Sequence, residues 1–263
     1  MLRSSNGPSK TLWFERLSQH QRPPLRMFCF PYAGGSAQIF QTWQRYLSPE
    51  IDVCLVHLPG RGMRINEKAF TRISALVAAI ADQIIDEIMD PFVLYGHSMG
   101  ALISFELSRE IFRRSGRTPL HLFLSGHRAP QWPRSRKQTF HLPDKEFIAK
   151  LKDLNGTPIE LFDHPEMKAM FLPALRADFE MVETYEFSPG QPLSCPMTVY
   201  GGLQDSHVPL ESLHAWGVHS TAACKVRMLK GDHFFIRSSE KEFVNILRSD
   251  VLNVLTDTRM KRT

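Results

Sequence analysis

Long hydrophobic runs are missing from this chain. Its uncharged stretch Met27 to Gln44, which no other exceeds in length, is interrupted by Pro31, Gly34, Gly35, Ser36 and several Gln residues, whereas a bilayer-spanning helix needs roughly 20 predominantly apolar residues. The opening MLRSSNGPSKTLWFERL has no apolar core of the kind a secretory signal requires, so no membrane association is expected and the cytoplasm is the default compartment. Cysteine is scarce, with only Cys29, Cys54, Cys195 and Cys224 present. Widely spaced and mostly within apolar runs, they read as buried free thiols, with a disulfide or a metal site as alternatives. No clustered Cys, His or carboxylate spacing suggests a metal, and neither a dinucleotide nor a P-loop glycine pattern occurs. No metal and no cofactor are therefore expected. Repeats and low-complexity segments are also lacking. The 32 Lys and Arg exceed the 27 Asp and Glu by five, for a formal charge of +5. Acidic residues are interspersed with basic ones except around Arg109 to Arg117 and Arg128 to Lys137, too diffuse a pattern for a nucleic-acid footprint. An acidic protein partner remains compatible with it.

What is present suits one α/β domain over residues 1–263, with 43% hydrophobic and 22% charged residues supplying a sizeable core. Short, near-continuously apolar runs recur: LRMFCFP (25–31), IDVCLVHL (51–58), PFVLYG (91–96), LHLFLSG (120–126), CPMTVYGG (195–202) and CKVRML (224–229). Such runs predict strands covered on both faces, in a mostly parallel sheet. Between them, Ile73 to Met89 sets Ile73, Leu76, Val77, Ile80, Ile84 and Ile88 on one helical face, and Met99 to Arg113 and Glu240 to Val254 also read as helices. The alternation stops over residues 128–192, where Asp144 to Leu154 and Glu166 to Tyr185 form helical patterns. An insertion there is expected to lie as a lid over the C-terminal edge of the sheet, where ligands bind. The first ten residues and those from Thr256 onward read as frayed ends.

The chemistry concentrates in Gly96-His97-Ser98-Met99-Gly100, a G-x-S-x-G directly after one strand and directly before a helix. In that setting it predicts a nucleophile elbow, a turn so tight that small residues must flank the serine. Serine needs a base oriented by a carboxylate, and in hydrolases with this elbow the acid and then the histidine follow it in sequence. Later strand ends offer Asp205 in GGLQDSHV and His233 in KGDHFF. Asp232 is the rival acid, while Asp163 and Asp178 read as helix-surface charges. His57, His121 and His127 are expected to be packing residues, and His207 and His214 peripheral ones. An oxyanion site is expected from the backbone amides of Met99 and of the loop Pro31-Tyr32-Ala33-Gly34-Gly35, with Ala33 the first choice and Tyr32 the fallback. Arg61 and Arg64 in LPGRGMR could face an anionic group on a carrier, or form a structural ion pair.

Taken together, FCFPYAGGSAQIFQTW, VHLPGRGMR, YGHSMGALISFEL, LPALRADFEMVETY, GGLQDSHV and GDHFF resemble the type II thioesterases, stand-alone α/β-hydrolases of polyketide and non-ribosomal peptide synthesis. They are also similar to the medium-chain thioesterase of fatty acid synthesis. The resemblance runs from about Leu25 to Val254. It implies an α/β-hydrolase fold with Ser98, Asp205 and His233 as a triad and Pro31 to Gly35 as the oxyanion loop. It further implies a monomer that hydrolyses acyl groups from the phosphopantetheine thiol of acyl or peptidyl carrier protein domains, the arm being carried by the partner. One departure is Asp232, where the family often has a second glycine. A general carboxylesterase or an acyltransferase would use the same triad, and a non-catalytic module of the same fold is the reading from another class.

Overall fold

The computed structural model describes residues 13–18, 24–88, 91–133, 137–154 and 162–260. Strand β1 (Phe14–Arg16) is followed by β2 (Leu25–Phe30), a 3-10 turn (Ala37–Phe40), helix α1 (Gln44–Leu47), β3 (Ile51–Val56), α2 (Ile73–Glu87), β4 (Phe92–His97), α3 (Met99–Ser115) and β5 (Leu122–Ser125). Helices α4 (Asp144–Leu154) and α5 (Pro165–Glu183) come next, then β6 (Met197–Gly202), α6 (Leu210–His214), β7 (Cys224–Leu229), α7 (Phe235–Ser238) and α8 (Glu240–Met260). The strands form one seven-stranded sheet in the order β1-β3-β2-β4-β5-β6-β7. Every pairing is parallel except β1 with β3, as expected for an α/β-hydrolase sheet.

The apolar strands are buried on both faces because each face carries its own core. On one side α2 and α3 pack Ile73, Leu76, Val77, Ile80, Ile84, Leu102 and Phe105 against the sheet. On the other, the 3-10 turn, α1 and α8 bring Phe40, Trp43 and Phe243 around Tyr95, with Trp43 and Tyr95 ring centroids 4.9 Å apart. Edge strand β7 is only half-buried, and its Arg227 pairs with Asp250 of α8 at 2.6 Å. A charged edge of this kind discourages pairing with another chain.

Strand β1 was not foreseen. Its antiparallel pairing with β3 is supported by Arg16, which donates to the fully buried Asp52 at 2.7 Å. The C-terminal end also differs from expectation: residues 256–260 continue α8 instead of fraying, because Leu255 extends the buried stripe of Leu247 and Val251. Met1 to Lys10 and residues 261–263, also read as frayed, lie outside the described residues. All four cysteines are free thiols, three of them buried. Among the described residues no helix is long and apolar enough to cross a membrane.

Helices α4 and α5 occupy the break between β5 and β6 and close on a small core of their own, comprising Phe147, Leu151, Phe162, Leu172 and Leu175. The expected boundaries 128–192 enclose both helices. Residues 134–136 and 155–161 within them lie outside the described residues.

Candidate active site

Ser98 stands between the end of β4 and the start of α3 with φ 53° and ψ −116°. Among the described residues it is the only non-glycine with positive φ, a conformation that costs on the order of 1–3 kcal/mol and must be imposed by its surroundings. Two glycines make room for it. A Cβ on Gly96 would collide with the Gly100 carbonyl, and one on Gly100 with the Phe30 carbonyl. The Ser98 amide is tied to the Ser125 carbonyl of neighbouring β5 at 2.7 Å. His97 points into the core, fully buried, with Nδ1 2.9 Å from Ser125 Oγ. Burial pushes its pKa well below the ordinary value, so the ring is neutral.

Parallel neighbours β6 and β7 end together, and their loops are laced by backbone bonds, Leu203 to Leu229 at 2.7 Å and Gln204 to Gly231 at 2.9 Å. This brings Asp205 and His233 into contact, His233 Nδ1 to Asp205 Oδ2 at 2.6 Å. The other carboxylate oxygen accepts the His207 amide at 2.9 Å. Burial pushes the Asp205 carboxyl up, but the His233 contact and the His207 amide outweigh it and hold the carboxyl below its ordinary value. Asp232 faces elsewhere, its Oδ1 accepting the Phe234 amide at 2.8 Å. The His233 ring lies 5.2 Å from that of His97 between centroids, and so stands over the end of β4, the strand that leads into Ser98. Ser98 Oγ itself makes no hydrogen bond to a described residue. Apo enzymes often form this contact only with substrate bound.

Because β2 pairs with β4, Ala33 and Met99 follow neighbouring strand ends. The Pro31–Gly35 loop closes a turn, Gly35 N–H to Tyr32 carbonyl at 2.9 Å. Gly34 in its third position has φ 77°, the pattern of a type II turn.

One sequence expectation needs correcting here, and for Arg61 and Arg64 the structure shows the ion-pair alternative. Asp178 is not a surface charge; it is fully buried and its two oxygens take Arg61 Nη1 and Nη2 at 2.5 and 2.6 Å. Neither Arg61 nor Arg64 offers a free cation to a carrier. Arg64 pairs with Glu67 at 2.5 Å, donates to the His57 carbonyl at 3.0 Å and lies over the Trp13 ring. A signal for Asp178 was present in the sequence: it sits three residues from both Leu175 and Met181, on the buried stripe of α5, where an unpaired carboxylate would be untenable. Among the described residues no group of three His, Cys, Asp or Glu side chains is placed to hold a metal ion.

Comparison with known proteins places this geometry in context. The sequence model of the Thioesterase domain family matches residues 25–250. The gramicidin S biosynthesis protein GrsT of Aneurinibacillus migulanus is 42% identical over 92% of this chain and 95% of its own length. Among solved structures, the RedJ thioesterase of the prodiginine pathway in Streptomyces coelicolor superimposes with a TM-score of 0.79 at 36% identity, covering 86% of this chain and 85% of that one. The type II thioesterase BorB of the borrelidin biosynthetic cluster does so at 0.83 and 30% identity, covering 95% of this chain and 100% of its own.

Proposed function

The chain belongs to the thioesterase family, and from that footing we propose that it hydrolyses acyl groups held on the phosphopantetheine thiol of acyl or peptidyl carrier proteins, using Ser98, His233 and Asp205. The observation that carries the proposal is the 2.6 Å contact of Asp205 with His233, set beside a serine in a strained strand-to-helix turn. The pathway names borne by GrsT, RedJ and BorB support an assembly-line substrate.

In this mechanism the Asp205 carboxylate holds the His233 Nδ1–H, leaving Nε2 to accept the Ser98 proton as the serine oxygen attacks the thioester carbonyl. Amides of Met99 and Ala33 donate to the oxygen that becomes negative in the tetrahedral intermediate. Collapse expels the pantetheine thiolate, which takes the proton from His233, and leaves an acyl-serine. Water, deprotonated by the same imidazole, then attacks the acyl-serine. A second tetrahedral intermediate collapses to free acid and restores Ser98. The insertion carrying α4 and α5 acts as the lid over this edge.

The test compares Ser98→Ala with the parent on acyl-carrier protein, acyl-coenzyme A and a simple ester. Loss of all turnover in a folded variant, an acyl adduct on Ser98 in the parent, and preference for the carrier substrate are expected. Equal rates on the simple ester would favour a general esterase, and turnover retained by Ser98→Ala would remove the triad.

A further inference from the structure

The turn that presents the Ala33 amide is not held by its own segment alone. The Gly34 amide donates to Asp178 Oδ2 at 2.8 Å, across 144 residues of sequence. Arg61, from the loop after β3, grips both oxygens of that carboxylate and also reaches the Gly35 carbonyl at 3.3 Å. Asp178 is fully buried and Arg61 nearly so. One ion pair thus fixes a donor and an acceptor of the two residues that follow Ala33.

The Ala33–Gly34 peptide is the central unit of the turn. In a type II turn it has the opposite orientation from that in a type I turn, and the two interconvert by rotation of this one peptide. Gly34 does not resist the rotation, since glycine accepts either sign of φ. A charged acceptor does resist it, because hydrogen bonds to an ionised group are about twice as strong as neutral ones. The Ala33 N–H belongs to the preceding Tyr32–Ala33 peptide, so the ion pair acts on it by anchoring the turn immediately after Ala33, and removing the pair would leave that turn free to shift against the end of β4.

We propose that Asp178 and Arg61 are positioning residues for the reaction: by holding the Gly34 amide and the Gly35 carbonyl they fix in place the turn that carries the Ala33 amide, and they make its placement depend on α5 being seated against the body. This deepens the assignment above and rests on Ala33 as an oxyanion donor. The carboxylate is supplied by the insertion, so an α5 that lifts away withdraws it from Gly34. The oxyanion site is then complete only while the insertion is closed. Arg61 has a double part, neutralising a carboxylate that could not otherwise be buried and holding the Gly35 carbonyl.

The test uses the double substitution Asp178→Leu with Arg61→Met. Exchanging a buried pair for apolar side chains of similar volume is often neutral or stabilising, so the fold is kept while the lock is lost. On an acyl-pantetheine thioester, kcat is expected to fall about 100-fold, the effect of losing one oxyanion donor, with KM within about two-fold. Phosphonylation of Ser98 by a fluorophosphonate should slow in parallel. A purely architectural pair would move the melting temperature without this split. The second measurement needs no variant: Gly34 is an exposed residue, yet its amide should be protected from hydrogen exchange in the parent. An unprotected Gly34 amide, or unchanged kcat in the folded double variant, would overturn the lock. Ser98→Ala assayed alongside separates the two ideas, since its inactivity together with an unaffected double variant removes the lock and leaves the triad standing.

Discussion

At the scale of single residues, the chemistry is concentrated in side chains whose positions follow from where strands stop. Asp205→Asn tests the division of labour between the two partners of the 2.6 Å contact. An amide at that position can offer its NH2 to Nδ1 and favour the wrong tautomer, so kcat should drop about 10⁴-fold while circular dichroism stays unchanged. A variant within ten-fold of the parent would sever Asp205 from the mechanism. The meeting of Asp205 with His233 and the strand-to-helix turn at Ser98 were legible because each of these residues follows an apolar run at one sheet edge, a relation written in local sequence. Asp178 was not, although its place on the stripe of α5 marked it, because its partners Gly34 and Arg61 are brought to it only by tertiary folding. A sequence reading that treats every charged residue on a helix as solvated has no way to see such a pair.

At the scale of elements, the strands buried on both faces were readable to within two residues, since continuous apolarity is itself the signature of that burial. Strand β1 escaped because three residues, Phe14–Arg16, give no period to detect and their conformation is set by β3. Helix α1 escaped for the same reason, having only four residues. Helices α4 and α5 behave differently from the body because they close on a separate core. Arg176 pairs with Asp144 at 2.9 Å and donates to the Phe140 and Leu142 carbonyls, and the Glu183 carboxylate accepts the Thr139 and Phe140 amides at 2.7 and 3.0 Å. Phe147, fully buried against Phe179 at 5.2 Å between centroids, is the centre of that cluster. Phe147→Ala should cost about 3–5 kcal/mol, localised here: hydrogen exchange in α4 and α5 should accelerate while α2, α3 and the sheet keep their protection. Uniform acceleration throughout would mean that the two cores unfold as one.

At the scale of the whole molecule, the +5 net charge is not supplied to a partner by Arg61 or Arg64, each of which is neutralised by a carboxylate of the chain itself. The histidines matter more to how the protein answers pH. Burial pushes His121 and His219 down to about 4 and His97 well below its ordinary value, while the unfolded chain titrates these groups near 6.5. Between those limits the unfolded state binds protons that the folded state refuses, so stability is full above about pH 6.5 and falls as the pH drops toward 4. The slope is about 1.4 kcal/mol per pH unit for each such histidine. Asp205, held below its ordinary value, acts further down, its contribution complete above about pH 4 and lost as the pH falls through its lowered value. Urea midpoints measured from pH 7 to pH 4 should therefore decline steadily, and His121→Gln should flatten the decline. A midpoint constant over that range would show that these rings are protonated in the folded protein.

The cysteines acquire a consequence in this setting. A chain that handles thioesters is exposed to transthioesterification, in which one of its own thiolates captures the acyl group and leaves the chain blocked. The reaction needs an accessible thiolate. Burial raises all four thiols above their ordinary value, pushing Cys195 to about 12 and Cys29 and Cys54 well up. Self-acylation at sulfur is thereby disfavoured, by burial at Cys29, Cys54 and Cys195 and by the raised pKa of half-buried Cys224, so that in the proposed cycle a serine oxygen is where the acyl group rests on its way to water.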